Sequence, residues 1–378
     1  MQGKNSMQKR KGNVKEGRLS IGILSNHPGL VLPPPPSHSI ARVIENQILG
    51  LKEMGHRVIL FAPGDCRIDC EVVPVCKTAV PVSKDHKVKT LSENIMQKAM
   101  DILWEMHDEI DIVNGHGLDI PGVLQSTGFL GEYPFPNVTT LHSCVELDNL
   151  AYFKKIRNKI ISLSYNQRRA CSCLDFVGNV YNGLNPDDFP VNLKPDDYIC
   201  FLGRMSARKQ PHLAIQLARQ IGIPIRLAGA VDPLFDADYF QAICKPLLKE
   251  PGVEYLGELG MEDKISLISR AKMNLHPTGF RDPCPLVPLE AGYCGTPTLA
   301  IAAGALPELI EDGVTGFLVE DFCEGVFAAE RCMGLDRGRI ADHVRKRFNR
   351  QSMAEEYIKI YKKVLKYDNQ EERTDGTL

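Results

Sequence analysis

Short apolar runs rich in β-branched residues alternate with helical patterns along most of this chain, and the alternation starts over once. The first series comprises LSIGIL (19–24), RVILFA (57–62), IDIVN (110–114), NVTTLH (137–142), KIISLS (159–164) and DFVGNVY (175–181). The second comprises YICFLG (198–203), IRLAG (225–229), VEYLG (253–257), MNLHP (273–277) and TLAIA (298–302). Strands that are apolar throughout and separated by helices belong to parallel sheets covered on both faces. Between the series lies YNGLNPDDFPVNLKPDD (181–197), whose Pro, Asp and Asn content reads as a linker.

A chain of 378 residues is also long for one core. The expected fold class is therefore α/β: two Rossmann-like, doubly wound domains facing each other across a cleft. The expected domains are 19–182 and 183–349. A basic tail (1–18) precedes them, read as disordered, and a polar tail (367–378) follows. In the helix expected over 208–221, Leu213, Leu217 and Ile221 form one apolar stripe backed by Ala214 and Ala218. A last helix, 350–366, carries Met353, Tyr357, Ile360, Tyr361 and Val364 and is expected to pack back across the domains.

Composition narrows the function classes. With 43% hydrophobic and 24% charged residues the chain reads as soluble and globular. A net charge of −2 gives no general attraction to nucleic acid or anionic membranes. No apolar stretch approaches the ~20 residues of a membrane span, and the polar start lacks the apolar core of a signal peptide. A cytoplasmic location is expected. The 12 cysteines are scattered, and Cys66, Cys70 and Cys76 match no common zinc spacing, so reduced thiols are expected.

Candidate chemistry concentrates in HPTGFRDPCPLVPLEAGYCGTP (276–297). Asp282 precedes Glu290 by eight positions, and a buried helix is expected to begin at Leu286 between them. A loop ending in a helix N-terminus offers free backbone N–H groups and a favourable dipole to an anion. Carboxylates on either side suit hydroxyls flanking a phosphate. In FLGRMSARKQPH, Arg204 and Lys209 lie on a strand-to-helix loop, where cations suit a diphosphate; alone, they read as solvated loop charges, and only the acidic loop nearby favours the diphosphate. IGILSNHPG lacks G-x-G-x-x-G, and no Walker motif occurs, which argues against a nicotinamide dehydrogenase and a P-loop NTPase.

FLGRMSARKQPHLAI, YLGELG, the Asp282–Glu290 segment and EAGYCGTPTLAIAAGALPELIEDGVTGFLV occur in the order seen in glycosyltransferase family 4. The likeness continues more weakly through GHRVILFAPGD, DIVNGHG, TTLHS and VYNGLNPDDF. The chain thus resembles the retaining GT-B glycosyltransferases of that family. The resemblance implies a metal-independent hexosyltransferase using a nucleotide diphosphate sugar, UDP-glucose or similar, with no cofactor. The acceptor would be a small molecule, glycan or lipid-linked hydroxyl; nucleic acid is not expected, and a homodimer is allowed.

By the same resemblance the base would lie near Leu256–Glu258 and the ribose on Glu290. The diphosphate would lie on Arg204, Lys209 and the amides of Leu286 and Val287, with the sugar near Asp282 and His116. Asp282 stands where the family has Glu, and Cys284-Pro285 where it has Phe-Gly. Pro285 removes one backbone donor. The family's Gly-Gly loop falls at about His38 and Ser39. His38 is read as a phosphate contact or as a loop histidine without a role. His116, which follows a strand and precedes a helix expected over 121–129, resembles the histidine beside the reacting sugar carbon, the alternative being a loop histidine without a role; His142 is read as a cleft contact or as a strand-end polar group. Arg42 and Lys52 are expected to be solvated. No Asp-x-Asp metal motif is expected, so the leaving diphosphate would be neutralised by Arg204, Lys209 and the helix start without a metal. These departures keep open an alternative, a nucleotide-sugar-binding protein with little transferase activity.

Overall fold

The computed structural model describes residues 17–25, 28–35, 38–81, 85–117, 136–145, 150–151, 154 and 159–374. The helix expected over 121–129 and most of the basic tail lie outside the described residues.

The first sheet contains β1 (Ser20–Ser25), β2 (Arg57–Ala62), β3 (Glu71–Pro74), β4 (Ile112–His116), β5 (Asn137–Thr140), β6 (Ile160–Ser162) and β7 (Phe176–Asn179). Their order is β3-β2-β1-β4-β5-β6-β7, with every pairing parallel. The second contains β8 (Ile199–Leu202), β9 (Ile225–Ala228), β10 (Val253–Tyr255), β11 (Asn274–His276), β12 (Thr298–Ile301) and β13 (Gly316–Val319). It runs β10-β9-β8-β11-β12-β13, also parallel. Burial explains both sheets: β1, β4, β8 and β11 are covered on both faces, the signature of strands between helical layers.

The longer helices are α1 (Ser39–Glu53), α2 (His86–Glu105), α3 (Pro211–Ile221), α4 (Met261–Arg270), α5 (Leu286–Tyr293), α6 (Gly325–Met333), α7 (Arg337–Arg347) and α8 (Arg350–Thr374). Helix α3 has Pro211 at its first turn and ends on Gly222 at φ 70°, matching the preferences of helix starts and stops.

Two strands escaped the sequence pattern, β3 and β13. β3 is a four-residue edge strand ending in Pro74, too short and too exposed to show an apolar run. β13 is an edge strand as well. Helix α8 runs to Thr374, past the expected end at 366.

α8 returns to the first domain. The Tyr361 hydroxyl accepts from Gln47 Nε2 at 2.9 Å and from Asn114 Nδ2 at 2.8 Å, while that of Tyr357 lies 3.2 Å from Thr140 Oγ1. Both tyrosines are fully buried, and their cluster continues through Phe348 to Leu286 and Tyr293 of the second domain. The C-terminal helix is therefore built into the core of both halves, and it fixes the two sheets on either side of the cleft.

Candidate active site in the interdomain cleft

The C-terminal ends of β8, β9 and β11 supply the second-domain wall of the cleft, with Gly203, Gly229 and His276 at its surface. This is where ligands bind in open α/β sheets. The cleft holds a cavity of about 490 Å³. Gly229 is required by close approach: a Cβ there would stand 1.9 Å from the carbonyl oxygen of Gly203, at φ 150°. The missing side chain lets the β8 and β9 loops meet.

Because β8 and β11 are neighbours, their loops face each other and join at three points. Arg208 lays its guanidinium 3.7 Å above the Phe280 ring centre. Lys209 Nζ meets Asp282 Oδ2 at 2.6 Å. Gln210, held in the left-handed region at φ 53°, accepts from the Gly279 amide at 3.1 Å. The basic loop and the acidic loop thus form one floor. Arg204 stands apart from this zipper. Its guanidinium pairs with Asp236 at 2.9 Å while still lining the cavity.

Helix α5 begins on Pro285. Its third residue is Pro288, so prolines flank Leu286 and Val287. Their amides are the N–H groups that the first turn leaves without an intrahelical partner, and both residues line the cavity. Glu290, one turn on, has no exposed surface. Its Oε1 accepts from Lys264 Nζ at 2.5 Å, and its Oε2 has no partner among the described residues.

The first-domain wall includes Ser39, Arg42 and His142. Nε2 of His142 meets Nδ1 of His116 at 2.8 Å, with the rings stacked. Two imidazolium rings cannot share such a contact, so at least one ring is neutral. Burial pulls His142 down to about 4, and burial together with His142 holds His116 well below the usual histidine value. His276 is pulled down to about 3 by burial and by Lys209.

The cavity gathers Arg204, Lys209, Glu258, Asp282, Pro285, Leu286, Val287, Glu290, Ser39 and His142 from the residues singled out in sequence. Three of the residues singled out in sequence do not line the cavity. His116 is fully buried beneath His142, so of this stacked pair His142 lines the cavity. Leu256 packs against the core, and the wall near the expected base site is formed by Glu258 and Leu259. His38 precedes α1 at the N-cap position without a side-chain capping bond and does not line the cavity, while Ser39 does.

Arg42 lines the cavity with a buried Nη2 that has no partner among the described residues, against the expectation of a solvated charge; Lys52 pairs with Asp69 at 2.7 Å. The chain also has one Asp-x-Asp spacing, Asp236-Ala237-Asp238, with Asp236 held by Arg204 and Asp238 exposed. Among the described residues no group of three or more His, Cys, Asp or Glu is arranged to hold a metal. Sequence reasoning missed Lys264, Arg208 and Gln210. Lys264 lies four residues past the quoted YLGELG, but only the packing of α4 on α5 puts its ammonium on Glu290.

Residues 186–329 match the family model for glycosyl transferases group 1. That span contains Arg204, Lys209, Lys264, Asp282 and Glu290. A stretch of 127 residues is 32% identical to D-inositol 3-phosphate glycosyltransferase of Mycobacterium avium (strain 104), covering 33% of this chain and 30% of that protein. The alignments with curated relatives thus span less than half of each relative's length.

Sucrose-phosphate synthase of Thermosynechococcus elongatus superposes with a TM-score of 0.74 at 18% identity, over 93% of this chain and 100% of that one. Anabaena Alr3699/HepE, solved in complex with UDP-glucose, gives 0.66 at 16% identity, over 92% and 99%. These likenesses establish the fold as GT-B, two Rossmann-like domains about a cleft. Among the described residues no helix is long and apolar enough to cross a membrane.

Proposed function

We propose that the protein is a retaining, metal-independent glycosyltransferase of family 4. It moves a hexosyl group from a nucleotide diphosphate sugar, UDP-glucose or a close relative, to an acceptor hydroxyl. The observation that carries this reading is the start of α5. Two free amides, Leu286 and Val287, sit between Asp282, neutralised by Lys209, and the buried carboxylate of Glu290. A diphosphate fits the amides, and hydroxyl-bearing rings fit the carboxylates on either side. The match of residues 186–329 to group 1 glycosyl transferases and the UDP-glucose complex of the Anabaena structure support it.

In this reading the base lies by Glu258 and Leu259, the ribose at Glu290, and the hexose near Asp282 and His142. The C1–oxygen bond to the diphosphate breaks, and the acceptor oxygen bonds to C1 on the same face. Its proton passes to the departing diphosphate. Arg204, Arg208, Lys209 and the α5 amides carry the negative charge that develops, the term expected to dominate the rate. Arg204 and Lys209 are paired with carboxylates without ligand, so donor binding competes for them. His142 presents a neutral imidazole to the sugar, with His116 fixing its ring. The acceptor approaches from the first domain, past Ser39 and Arg42. We place the protein in the cytoplasm, where its free cysteines stay reduced.

The test is release of nucleoside diphosphate from a panel of UDP-, GDP- and ADP-hexoses, with and without EDTA. Slow hydrolysis of one donor, unchanged by EDTA and giving sugar of the donor's anomeric configuration, is expected. Tight binding of a donor without any hydrolysis would favour a binding protein over a transferase. Absence of both binding and hydrolysis across the panel would overturn the proposal.

A further inference from the structure

Glu290 is a buried carboxylate split between two environments. Oε1 is taken by the Lys264 ammonium at 2.5 Å, and Oε2, buried at the cavity wall, has no partner among the described residues. Lys264 is itself nearly covered, with 11% of its side chain exposed against none for Glu290. It sits in the first turns of α4, where its amide bonds to the Gly260 carbonyl at 2.9 Å. α4 packs directly on α5. The ammonium is therefore delivered from a rigid neighbouring helix, not from a loop. A carboxylate without that counter-charge would be costly to keep buried, and an unpaired carboxylate oxygen costs more than a paired one.

From this geometry we infer that Lys264 is a positioning residue for the nucleoside end of the donor: it fixes Glu290 through Oε1 so that Oε2 is left to accept the ribose hydroxyls. The inference rests on the proposed donor site and adds a residue to it. Lys264 acts through Glu290, so its effect has to depend on the hydroxyl that Glu290 reads. A lysine that only stabilised the fold, or one that bound phosphate directly, would weaken every nucleoside diphosphate equally.

The experiment is calorimetric binding of UDP, 2′-deoxy-UDP and 3′-deoxy-UDP to the full chain, its K264M and K264Q variants and its K264R variant. The wild type should prefer UDP over at least one deoxy form by on the order of 10-fold, the worth of a hydrogen bond to a charged acceptor. In K264M and K264Q that preference should fall toward one, with UDP itself bound on the order of 10-fold more weakly. K264R, which keeps the charge, should restore most of the preference. Melting curves identify a variant that is not folded, and the remaining folded variant then decides. An undiminished preference in folded K264M or K264Q overturns the inference, as does a wild type that binds UDP and both deoxy forms equally. A wild type that binds no nucleoside diphosphate overturns the donor-site reading along with it. A wild type with the preference and a variant that retains it removes only the role of Lys264.

Discussion

Lys209 Nζ and Asp282 Oδ2 stand 2.6 Å apart, joining the loop after β8 to the loop after β11 across 73 positions of sequence. Each neutralises the other without ligand, yet in the proposed function they serve different parts of the donor. Lys209→Ala should weaken binding of UDP and UDP-glucose alike, on the order of 10- to 100-fold, as loss of a charge-assisted contact does. Asp282→Ala should leave UDP affinity within a few fold while lowering kcat for the sugar donor at least 10-fold. Calorimetry with UDP beside steady-state kinetics separates the two. Equal losses in UDP binding for both variants would show that the pair acts only as a structural tie.

His116, His142 and His276 are all held below the ordinary histidine value by burial, to about 4 for His142 and about 3 for His276. The folded form therefore favours their neutral state, and the unfolded chain binds more protons below about 6.5. The stabilisation is fully present above pH 6.5 and is lost as pH falls toward 4 and 3. Each such histidine contributes a slope of up to about 1.4 kcal/mol per pH unit in that window. Urea melts at pH 7, 6 and 5 should show a steep fall in stability, and His142→Gln should flatten it. A profile level between pH 7 and 5 would contradict the burial of these rings.

Gly304 controls where Asp282 stands. At φ 56° its backbone presses on the acidic loop, and a Cβ there would lie 2.7 Å from both the amide nitrogen and the carbonyl oxygen of Asp282. The Ala305 amide then donates to that carbonyl at 3.0 Å. Gly304→Ala combines left-handed strain with a clash, so a stability loss of about 1–3 kcal/mol is expected. The larger consequence is displacement of Asp282, which should lower turnover of the sugar donor at least 10-fold with UDP binding nearly intact. Native turnover in a folded Gly304→Ala protein would mean that the carboxylate position does not matter.

Most of the sheet framework was legible because parallel strands covered on both faces leave unbroken apolar runs, as VILFA of β2 and ICFL of β8 do. β3 was not, since a short edge strand with exposed residues leaves no such run. In the site, Asp282, Glu290, Arg204 and Lys209 could be picked out from residue type and placement relative to a strand end or a helix start. Lys264 could not: its spacing from Glu290 has no local meaning, and the pair exists only because α4 lies against α5. The order of His116 and His142 was hidden for the same reason. His116 ends β4 and His142 lies two residues past the adjacent parallel strand β5, and nothing local says which ring lies nearer the cavity. Arg42 looked like a surface charge because periodicity places it on α1 but does not say that this turn of α1 faces the cleft.

A second-domain carboxylate, Glu308, also ties the two domains together. Glu308 accepts from the amides of Tyr165 at 2.8 Å and Asn166 at 2.6 Å, and from the Tyr181 hydroxyl at 2.7 Å. The two amides open the short first-domain helix Tyr165–Ala170, so a second-domain anion caps a first-domain helix start. Burial and then the bond to Glu308 push the Tyr181 phenol up, which keeps it protonated as a donor. Glu308 touches none of the cavity floor, yet it sets how closely the acceptor side meets the donor side. Glu308→Ala removes three hydrogen bonds to a charged acceptor, and the closed arrangement should lose about 1–3 kcal/mol relative to an open one. A larger radius of gyration in solution scattering is expected, together with a rise in KM for the acceptor and little change in UDP affinity. Glu308→Gln, which still offers a carbonyl oxygen, should fall between. If Glu308→Ala scatters like the wild type and turns over normally, the α8 packing alone holds the cleft closed.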